Sequence, residues 1–327
     1  MRLESFASSF RIMRREINDS IARGQFAGHE TFPLRLLWLK KAYDAVQGGA
    51  PVGTFHEQRA IARFGVGRNM AQSMHYWALA SGFMENDGKV LRPSRLGEAV
   101  LAGDGHDPYV ERSATVWLAH WHIASTAKLT TTAYYAFNAL SAIEFDPSTL
   151  VSELHELAKS RGWRATATTL KRDVEVLLRS YVRRHNANLE DAAEPLLAEL
   201  GLIREARVGG WYEFIRGPKP SLHDGVFAYA LNDFWNGVAN GSTALTAEQI
   251  CYAPGSPGRV FKMDEDSIVT RLMGMERLTA GAWVWTDTAG LRQIQRKDTV
   301  DDLALLARAY PERKVAVPED DDATEAA

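Results

Sequence analysis

The chain has little cysteine and no long apolar run, and both absences narrow its class. Cys251 is the single cysteine among 327 residues, which excludes a disulfide framework and any zinc site built from several cysteines. No apolar stretch approaches the roughly 18 residues that a membrane helix needs. The segment Met1–Phe6 lacks the apolar core of a signal peptide. We therefore expect a cytoplasmic protein that contacts no membrane.

Several catalytic and nucleotide-binding signatures are also absent. The sequence has no Walker phosphate loop, no dinucleotide glycine fingerprint, no CxxC pair, no HExxH and no clear acid–acid–Lys or HNH nuclease pattern. The Gly/Pro-rich segment Pro254–Gly258 lacks the Lys-Ser/Thr pair of a phosphate-binding loop. No nucleotide cofactor is therefore predicted, and the residues alone do not establish an enzyme.

Acidic residues are unevenly distributed along the chain. The formal net charge is −3, but the last ten residues, from Pro318, carry five carboxylates and no base. The rest of the chain therefore carries a net charge of +2, and residues 159–185 hold eight Lys/Arg against two acids. A local basic face, rather than the net charge, marks a nucleic-acid-binding protein. The overall acidity does not exclude that class.

The segment 62–83 has the pattern of the turn and second helix of a helix-turn-helix. We predict that this second helix begins near Arg68 and turns Trp77 toward the core. The following segment, 84–91, predicts a β-hairpin closed by Asp87-Gly88. Helices followed by such a hairpin predict a winged helix, which places one helix in the DNA major groove.

Polar residues at the start of this helix are candidates for contact with DNA bases. They are Arg68, Asn69 and Gln72. Arg pairs bidentately with guanine, and Asn or Gln with adenine, in the major groove. Lys89 and Arg92 on the hairpin are candidates for phosphate or minor-groove contact. The alternative is a winged helix that binds protein.

The pattern of helices followed by a hairpin occurs twice more. The predicted elements are helices over 151–160 and 168–184, a hairpin over 202–215, a capping box at 246–249, a helix over 264–275 and a hairpin over 283–294. These units share a pattern and not sequence identity. We predict a mainly α fold with small β-hairpins, built from tandem winged-helix or helix-turn-helix-like modules.

These patterns divide the chain into five predicted parts. They are a basic lead-in over 1–24, a winged-helix DNA-binding module over 25–108, a helical middle domain with a second helix-turn-helix-like unit and hairpin over 109–240, a C-terminal winged-helix-like module over 241–310 and an acidic disordered tail over 311–327. The first module opens at Gly28–Pro33. There Thr31 is expected to cap a helix that runs from Pro33 to about Val46.

A row of arginines follows the helix predicted over 168–184. At about 100° per residue, Arg172, Arg179 and Arg183 fall opposite the apolar face, with Lys171 beside them. One acid at i,i+4 spacing pairs with only one of these arginines. We predict a track for DNA phosphates, and the alternative is a solvated helix face.

Two short histidine-containing segments suggest catalysis, His29-Glu30 and His120-Trp121-His122. His and Glu bind divalent metals or transfer protons. The alternative places Glu30 near a helix N-terminus, where the dipole favours it, and the histidines among tryptophans. Asp173 is a metal ligand or a charge partner in the basic helix. His29, Glu30 and Asp173 are the candidate catalytic residues, and Mg²⁺ or Mn²⁺ is the candidate cofactor.

Short motifs spread over most of the chain form a recognisable set. They are Gly28–Arg35, Trp38–Lys41, Phe64–Met70, Tyr76-Trp77, Trp117–His122, Thr169–Asp173 and Tyr229–Trp235. This set resembles a bacterial family long known only as a domain of unknown function and typified by SspB, a component of single-strand DNA phosphorothioation systems in anti-phage defence. The resemblance covers about residues 25–295.

The resemblance implies a DNA-nicking protein that acts beside a cysteine desulfurase, an ATPase and an ATP-pyrophosphatase-like enzyme. Sulfur replaces a non-bridging phosphate oxygen in that scheme, and a nick gives access to the backbone. No family motif assigns a catalytic residue here. The leading hypothesis is therefore a duplex-DNA-binding protein that nicks one strand during this modification. The alternatives are a non-enzymatic DNA-binding adaptor or regulator that recruits the modification enzymes, and a scaffold whose winged helices bind protein.

Overall fold

The computed structural model describes residues 21–56, 58–140, 142–183, 195–207, 209–238, 241–288 and 290–310. The predicted acidic tail over 311–327 and nearly all of the predicted lead-in lie outside these residues. The α-helices are α1 (Trp38–Val46), α2 (Gln58–Phe64), α3 (Arg68–Ala80), α4 (Arg95–Leu101), α5 (Ser113–Ser125), α6 (Thr131–Asn138), α7 (Pro147–Ser160), α8 (Ala167–Tyr181), α9 (Asp224–Val238), α10 (Ala247–Tyr252), α11 (Pro257–Val260), α12 (Glu265–Leu278) and α13 (Asp302–Ala307). The strands are β1 (Ala50–Pro51), β2 (Met84–Asp87), β3 (Val90–Pro93), β4 (Glu144–Phe145), β5 (Ile203–Arg207), β6 (Trp211–Phe214), β7 (Ala244–Thr246), β8 (Trp283–Thr288) and β9 (Leu291–Arg296).

Three small antiparallel sheets share one topology. In each, a short strand comes first, helices follow, and a hairpin then places its last strand against the first strand. The strand orders are β1-β3-β2, β4-β6-β5 and β7-β9-β8. We call these segments unit 1 (50–93), unit 2 (144–214) and unit 3 (244–296). The predicted mainly α fold with small hairpins is confirmed.

Glycines close the three hairpins of these units, and the sequence indicates the turns of the first two. Gly88 has φ of +65°, Gly209 and Gly210 have φ of +117° and +85°, and Gly290 has φ of +80°. A tight hairpin turn needs positive φ, which glycine adopts without steric cost. The turn therefore sets where each pair of strands reverses.

Side-chain caps determine where several helices begin. Asp146 accepts hydrogen bonds from Ser148 N and Thr149 N at the start of α7, and Thr246 and Gln249 form the predicted capping box of α10. The helix predicted over 151–160 thus begins earlier, at Pro147. Such caps satisfy backbone N–H groups that have no partner within the helix, and losing one costs about 1 kcal/mol.

The helix predicted from Pro33 begins later than expected. Turns occupy the segment before it, and α1 begins at Trp38. Thr31 has φ of +70°, whereas a helix N-cap needs extended backbone. The prediction was wrong because contacts with distant helices hold this segment in a turn, and local sequence does not show such contacts.

Helix α5 lies at the centre of the molecule, and nearly all of its side chains are buried. Within it, His120 Nδ1 lies 2.7 Å from the Tyr181 hydroxyl, and Nε2 lies 2.9 Å from Val260 O. Burial lowers the pKa of His120 to about 3, so the ring is neutral. Its two hydrogen bonds join α8 to α11. This agrees with the alternative given above, in which the histidines of this segment lie among tryptophans in the core.

Across the described residues, every helix is too short or too polar to span a bilayer.

Candidate nucleic-acid interface

Helix α3 presents the polar residues of its first turn to solvent. Arg68 and Asn69 are exposed and Gln72 is half-buried, while Met74 and Trp77 are buried on the opposite side. Within the described residues, none of the three polar side chains has a hydrogen-bond or ion-pair partner. Their donors, together with the N-terminal N–H groups of the helix, suit phosphates or base edges.

The two predicted hairpin cations lie on the solvent-exposed side of unit 1. Lys89 is exposed at the turn between β2 and β3. Arg92 Nε lies 3.8 Å from Asp87 Oδ2, and both side chains are more than half exposed. Such an exposed pair contributes about 1 kcal/mol or less. Breaking the ion pair with Asp87 to contact a phosphate would therefore cost Arg92 little.

The basic face of α8 is less uniform than its sequence suggests. Leu170, Val174, Leu177 and Tyr181 are buried, so the predicted apolar face is confirmed. On the other side Lys171 and Arg172 are exposed, as is Arg183 just beyond the helix. Arg179 differs from them because its Nη1 donates to the carbonyl oxygen of Thr31 at 3.2 Å.

Two of the candidate catalytic residues, His29 and Asp173, meet in a buried contact. His29 Nε2 lies 3.1 Å from Asp173 Oδ1, and both side chains are about 95% buried. Thr31 N donates to His29 Nδ1 at 3.2 Å, so in the neutral ring the Nε2 proton points to Asp173. The carboxylate also accepts from Ala27 N at 2.9 Å and Thr132 Oγ1 at 3.2 Å. The charge partner of Asp173 is therefore a histidine, and both ring nitrogens are engaged.

Glu30 lies next to this pair in a turn of unusual backbone geometry. Ala27, Glu30 and Thr31 have φ of +64°, +47° and +70°. Non-glycine residues in this region cost about 1–3 kcal/mol each and persist only where the surroundings hold them. The Glu30 carboxylate is half-buried and has no hydrogen-bond or ion-pair partner among the described residues. The turn therefore presents an uncommitted carboxylate in a rigid frame.

We call residues 25–32 the strap, because this segment joins helices of different units. On α3, Trp77 Nε1 donates to Phe32 O at 2.9 Å, and the His29 ring stacks on Trp77 with centroids 6.3 Å apart. The Tyr76 ring covers Gly28 so closely that a Cβ there would overlap it. Sequence reasoning singled out Gly28–Arg35 as a motif but missed these partners.

No preformed metal cage is present in the described residues, which contain no group of three or more His, Cys, Asp and Glu side chains suited to one ion. Both Asp173 oxygens are engaged, whereas the Glu30 carboxylate at the strap has no partner in the described part of the chain. Mg²⁺ is often held by one or two carboxylates together with water and substrate phosphates. With Glu30 as its single carboxylate, this place could hold Mg²⁺ only if water and a substrate phosphate supplied the other ligands.

Sequence reasoning also missed two buried lysines, one in unit 3 and one in the segment between units 2 and 3. Lys262 Nζ donates to Phe137 O at 2.5 Å and lies 4.0 Å from the centroid of the Phe214 ring. Lys219 Nζ donates to Ile215 O at 2.9 Å. Burial lowers the pKa of Lys219 to about 8 and that of Lys262 well below its usual value. Lys262 of unit 3 thus contacts α6 and the Phe214 ring of unit 2, whereas Lys219 binds carbonyls of its own loop.

The fold and this surface define a mainly α protein of three helix-and-hairpin units, with exposed cations on helices of the first two. Residues 26–310 match the family described as protein of unknown function, DUF4007, and the chain belongs to that family. A magnesium-bound crystal structure of SspB is similar, with 26% identity, a TM-score of 0.79, and coverage of 90% of this chain and 88% of that chain. A second SspB crystal structure is similar at 26% identity and a TM-score of 0.79, covering 89% of this chain and 88% of that one. The resemblance to the SspB-like family is thus confirmed, and no curated protein matches the chain.

Proposed function

We propose that the protein binds duplex DNA and nicks one strand during DNA phosphorothioation in anti-phage defence. The observation that carries the proposal is the first turn of α3, where Arg68 and Asn69 are exposed without a partner in the described structure. The similarity to SspB supports the link to phosphorothioation.

The three units are proposed to be winged-helix modules, lying within the parts 25–108, 109–240 and 241–310. In support, each has the order strand, helices, hairpin, with its first strand against its last. In such modules the helix before the hairpin enters the major groove. In unit 1 that helix is α3, and in unit 2 it is α8, which carries the basic face.

Binding is proposed to combine base and phosphate contacts. Arg68, Asn69 and Gln72 are the proposed base contacts, since these side chains match guanine and adenine edges. The proposed phosphate contacts lie on the hairpin of unit 1 and along α8. They are Lys89, Arg92, Lys171, Arg172 and Arg183, whereas Arg179 already donates to Thr31 O. Neutralising phosphates releases counterions, so this binding should weaken steeply with salt.

Nicking is proposed to occur beside Glu30. In hydrolysis, a water oxygen forms a bond to phosphorus while the bond to one bridging oxygen breaks. A base takes the proton of the water, and the leaving oxygen gains a proton. Glu30 is the proposed base or metal-binding carboxylate, and the His29–Asp173 pair fixes the turn that carries it. Mg²⁺ or Mn²⁺ is the proposed cofactor, and it would supply charge stabilisation at the phosphate.

The proposed partners are the cysteine desulfurase, the ATPase and the ATP-pyrophosphatase-like enzyme of the same system, acting with duplex DNA in the cytoplasm. A non-enzymatic DNA-binding adaptor or regulator that recruits these enzymes is the second candidate. The saturated hydrogen bonds of His29 and Asp173 favour that candidate, because neither group is left to act on a substrate.

A plasmid assay separates the two candidates. Supercoiled plasmid would be incubated with the protein at low salt with Mg²⁺ or Mn²⁺, with an EDTA control and with Glu30→Gln, which keeps the side-chain volume. We expect open-circle product from the wild type and none from Glu30→Gln, although the variant still folds and binds DNA. Equal nicking by the variant would remove Glu30 from the reaction. Tight binding without any nick would support the adaptor.

A further inference from the structure

We infer that the strap is a positioning device that holds α3 of unit 1 and α8 of unit 2 at a fixed spacing. His29, Asp173 and Arg179 then act on DNA through the orientation of these helices. For Arg179 this replaces the phosphate contact that the sequence predicts. The role in DNA binding rests on the proposed function, whereas the fixed spacing is a property of the free protein.

The strap holds α3 through aromatic side chains two turns beyond its exposed polar residues. Trp77 donates to Phe32 O, and its ring stacks on His29. Tyr76 covers Gly28, and its hydroxyl donates to Leu129 O at 2.9 Å. The strap thus contacts one side of α3 through two successive aromatic residues, and the loop before α6 binds the same side.

The strap holds α8 at two points. Asp173 accepts from Ala27 N and pairs with His29 near the middle of the helix, and Arg179 donates to Thr31 O near its end. Six positions at 1.5 Å each separate these points by about 9 Å. A helix held at two points about this far apart cannot pivot around either of them. The exposed Lys171 and Arg172 precede the first point directly.

Helix α6 contacts both the strap and Asp173 of α8. Thr131 Oγ1 accepts from Gln25 N at 2.8 Å, and Thr132 Oγ1 donates to Asp173 at 3.2 Å. The three left-handed residues of the strap leave it little freedom to slide, because their conformations persist only under such contacts. The strap is thus a stiff connection between the units.

A stiff connection between units 1 and 2 should raise the affinity for a duplex that contacts both units. Two modules at the right spacing engage one duplex with a high effective concentration, which raises the combined affinity without any new contact. Loosening the strap would therefore weaken binding to a duplex that spans both modules and leave binding to a short duplex unchanged.

The spacing itself is measurable without DNA. Spin labels would be placed at Asn69→Cys and Lys171→Cys, both exposed, because the native Cys251 is buried. Pulsed electron resonance would give the distribution of label distances. We expect one narrow distribution in the parent protein and a broad one in either of two variants that we call the strap variants. Thr132→Val removes the bond from α6 to Asp173, and Arg179→Met removes the bond from α8 to Thr31 O. Arg172→Met, on the same helix but away from the strap, is the matched control and should leave the distribution unchanged.

Two strap variants are used so that the test does not depend on one of them folding. A variant is informative if it has the same melting temperature as the parent protein. A narrow distribution in a folded strap variant would overturn the inference.

The DNA-binding test compares the same variants on a long duplex. We expect the strap variants to lose about tenfold affinity or more, with an unchanged slope of log K against log salt. Arg172→Met should instead lower that slope by about 0.9. If folded strap variants bind the long duplex as tightly as the wild type does, the role of the strap in DNA binding is overturned. If the wild type binds no duplex, only the proposed function is refuted.

Discussion

His29 Nε2 and Asp173 Oδ1 lie 3.1 Å apart although 144 positions separate the two residues in the chain. The pair is buried, and each partner has further hydrogen bonds to the strap or to α6. A buried pair of this kind contributes little over an apolar replacement, but removing one member leaves the other without its partner. Its main effect is therefore on which conformation the strap adopts.

Loss of this pair should lower stability markedly. Asp173→Asn keeps the shape of the side chain but removes the charge that His29 and Ala27 N contact, and we expect about 3 kcal/mol less free energy of unfolding. Urea unfolding measures this difference. Glu175→Gln, exposed on the same helix, should change stability by less than about 0.5 kcal/mol. Equal stability of wild type and Asp173→Asn would contradict the prediction.

The exposed cations of α8 should set the salt dependence of DNA binding. Replacing Lys171 and Arg172 by alanine should weaken binding to all sequences alike and lower the slope of log K against log salt by about 0.9 for each lost phosphate contact. Titrations at several salt concentrations measure the slope. Glu175→Gln removes a negative charge from the same face and should strengthen binding. An unchanged slope in the double variant would take α8 out of the interface.

Asn69 should determine preference for a base rather than affinity alone. An Asn side chain pairs with both N6 and N7 of adenine, so Asn69→Ala should lose about 1–3 kcal/mol of discrimination at one base pair. Binding to duplexes that differ at single positions measures this. Lys89→Ala is the control, because loss of a phosphate contact weakens binding to every duplex equally. An Asn69→Ala variant with wild-type preference would rule out base contact by this residue.

His120 should make the protein less stable in acid. Its pKa is about 3 in the folded protein and about 6.5 when exposed. Because the unfolded chain takes up the proton more readily, the contribution is intact above about pH 6.5 and is lost as the pH falls toward the folded pKa. Each pH unit in that window costs about 1.4 kcal/mol.

Urea unfolding at pH 7, 6, 5 and 4 tests this prediction. His120→Gln has no titrating ring, so its stability should fall less steeply with acid than that of the wild type. Parallel curves for the two proteins would show that His120 does not take up a proton on unfolding in this range.

Local sequence predicted much of the secondary structure. Gly88 marks a hairpin turn because glycine itself adopts positive φ without steric cost. The beginning of α10 follows from Thr246 and Gln249, which cap the helix within one turn. The buried face of α8 follows from the helical period of Leu170 and Val174. These features involve interactions over a few residues and are therefore visible in the sequence.

The candidate site could be predicted only in part. Arg68, Asn69 and Lys171 are exposed as their place in the helical period implies. The sequence also singled out His29 and Asp173 separately, by residue type, but gave no reason to pair them. It suggested a phosphate contact for Arg179, whereas the structure places its guanidinium on Thr31 O.

The amino-acid sequence by itself determined where several helices and the hairpins form, because caps, turns and amphipathic periods act within a few residues. The tertiary structure alone decided what the strap contacts, why Thr31 lies in a turn and not at a helix start, and which groups surround the buried amine of Lys262. Those outcomes depend on groups that are distant in the chain. A buried polar group must find a partner, but only the folded chain determines which one it is.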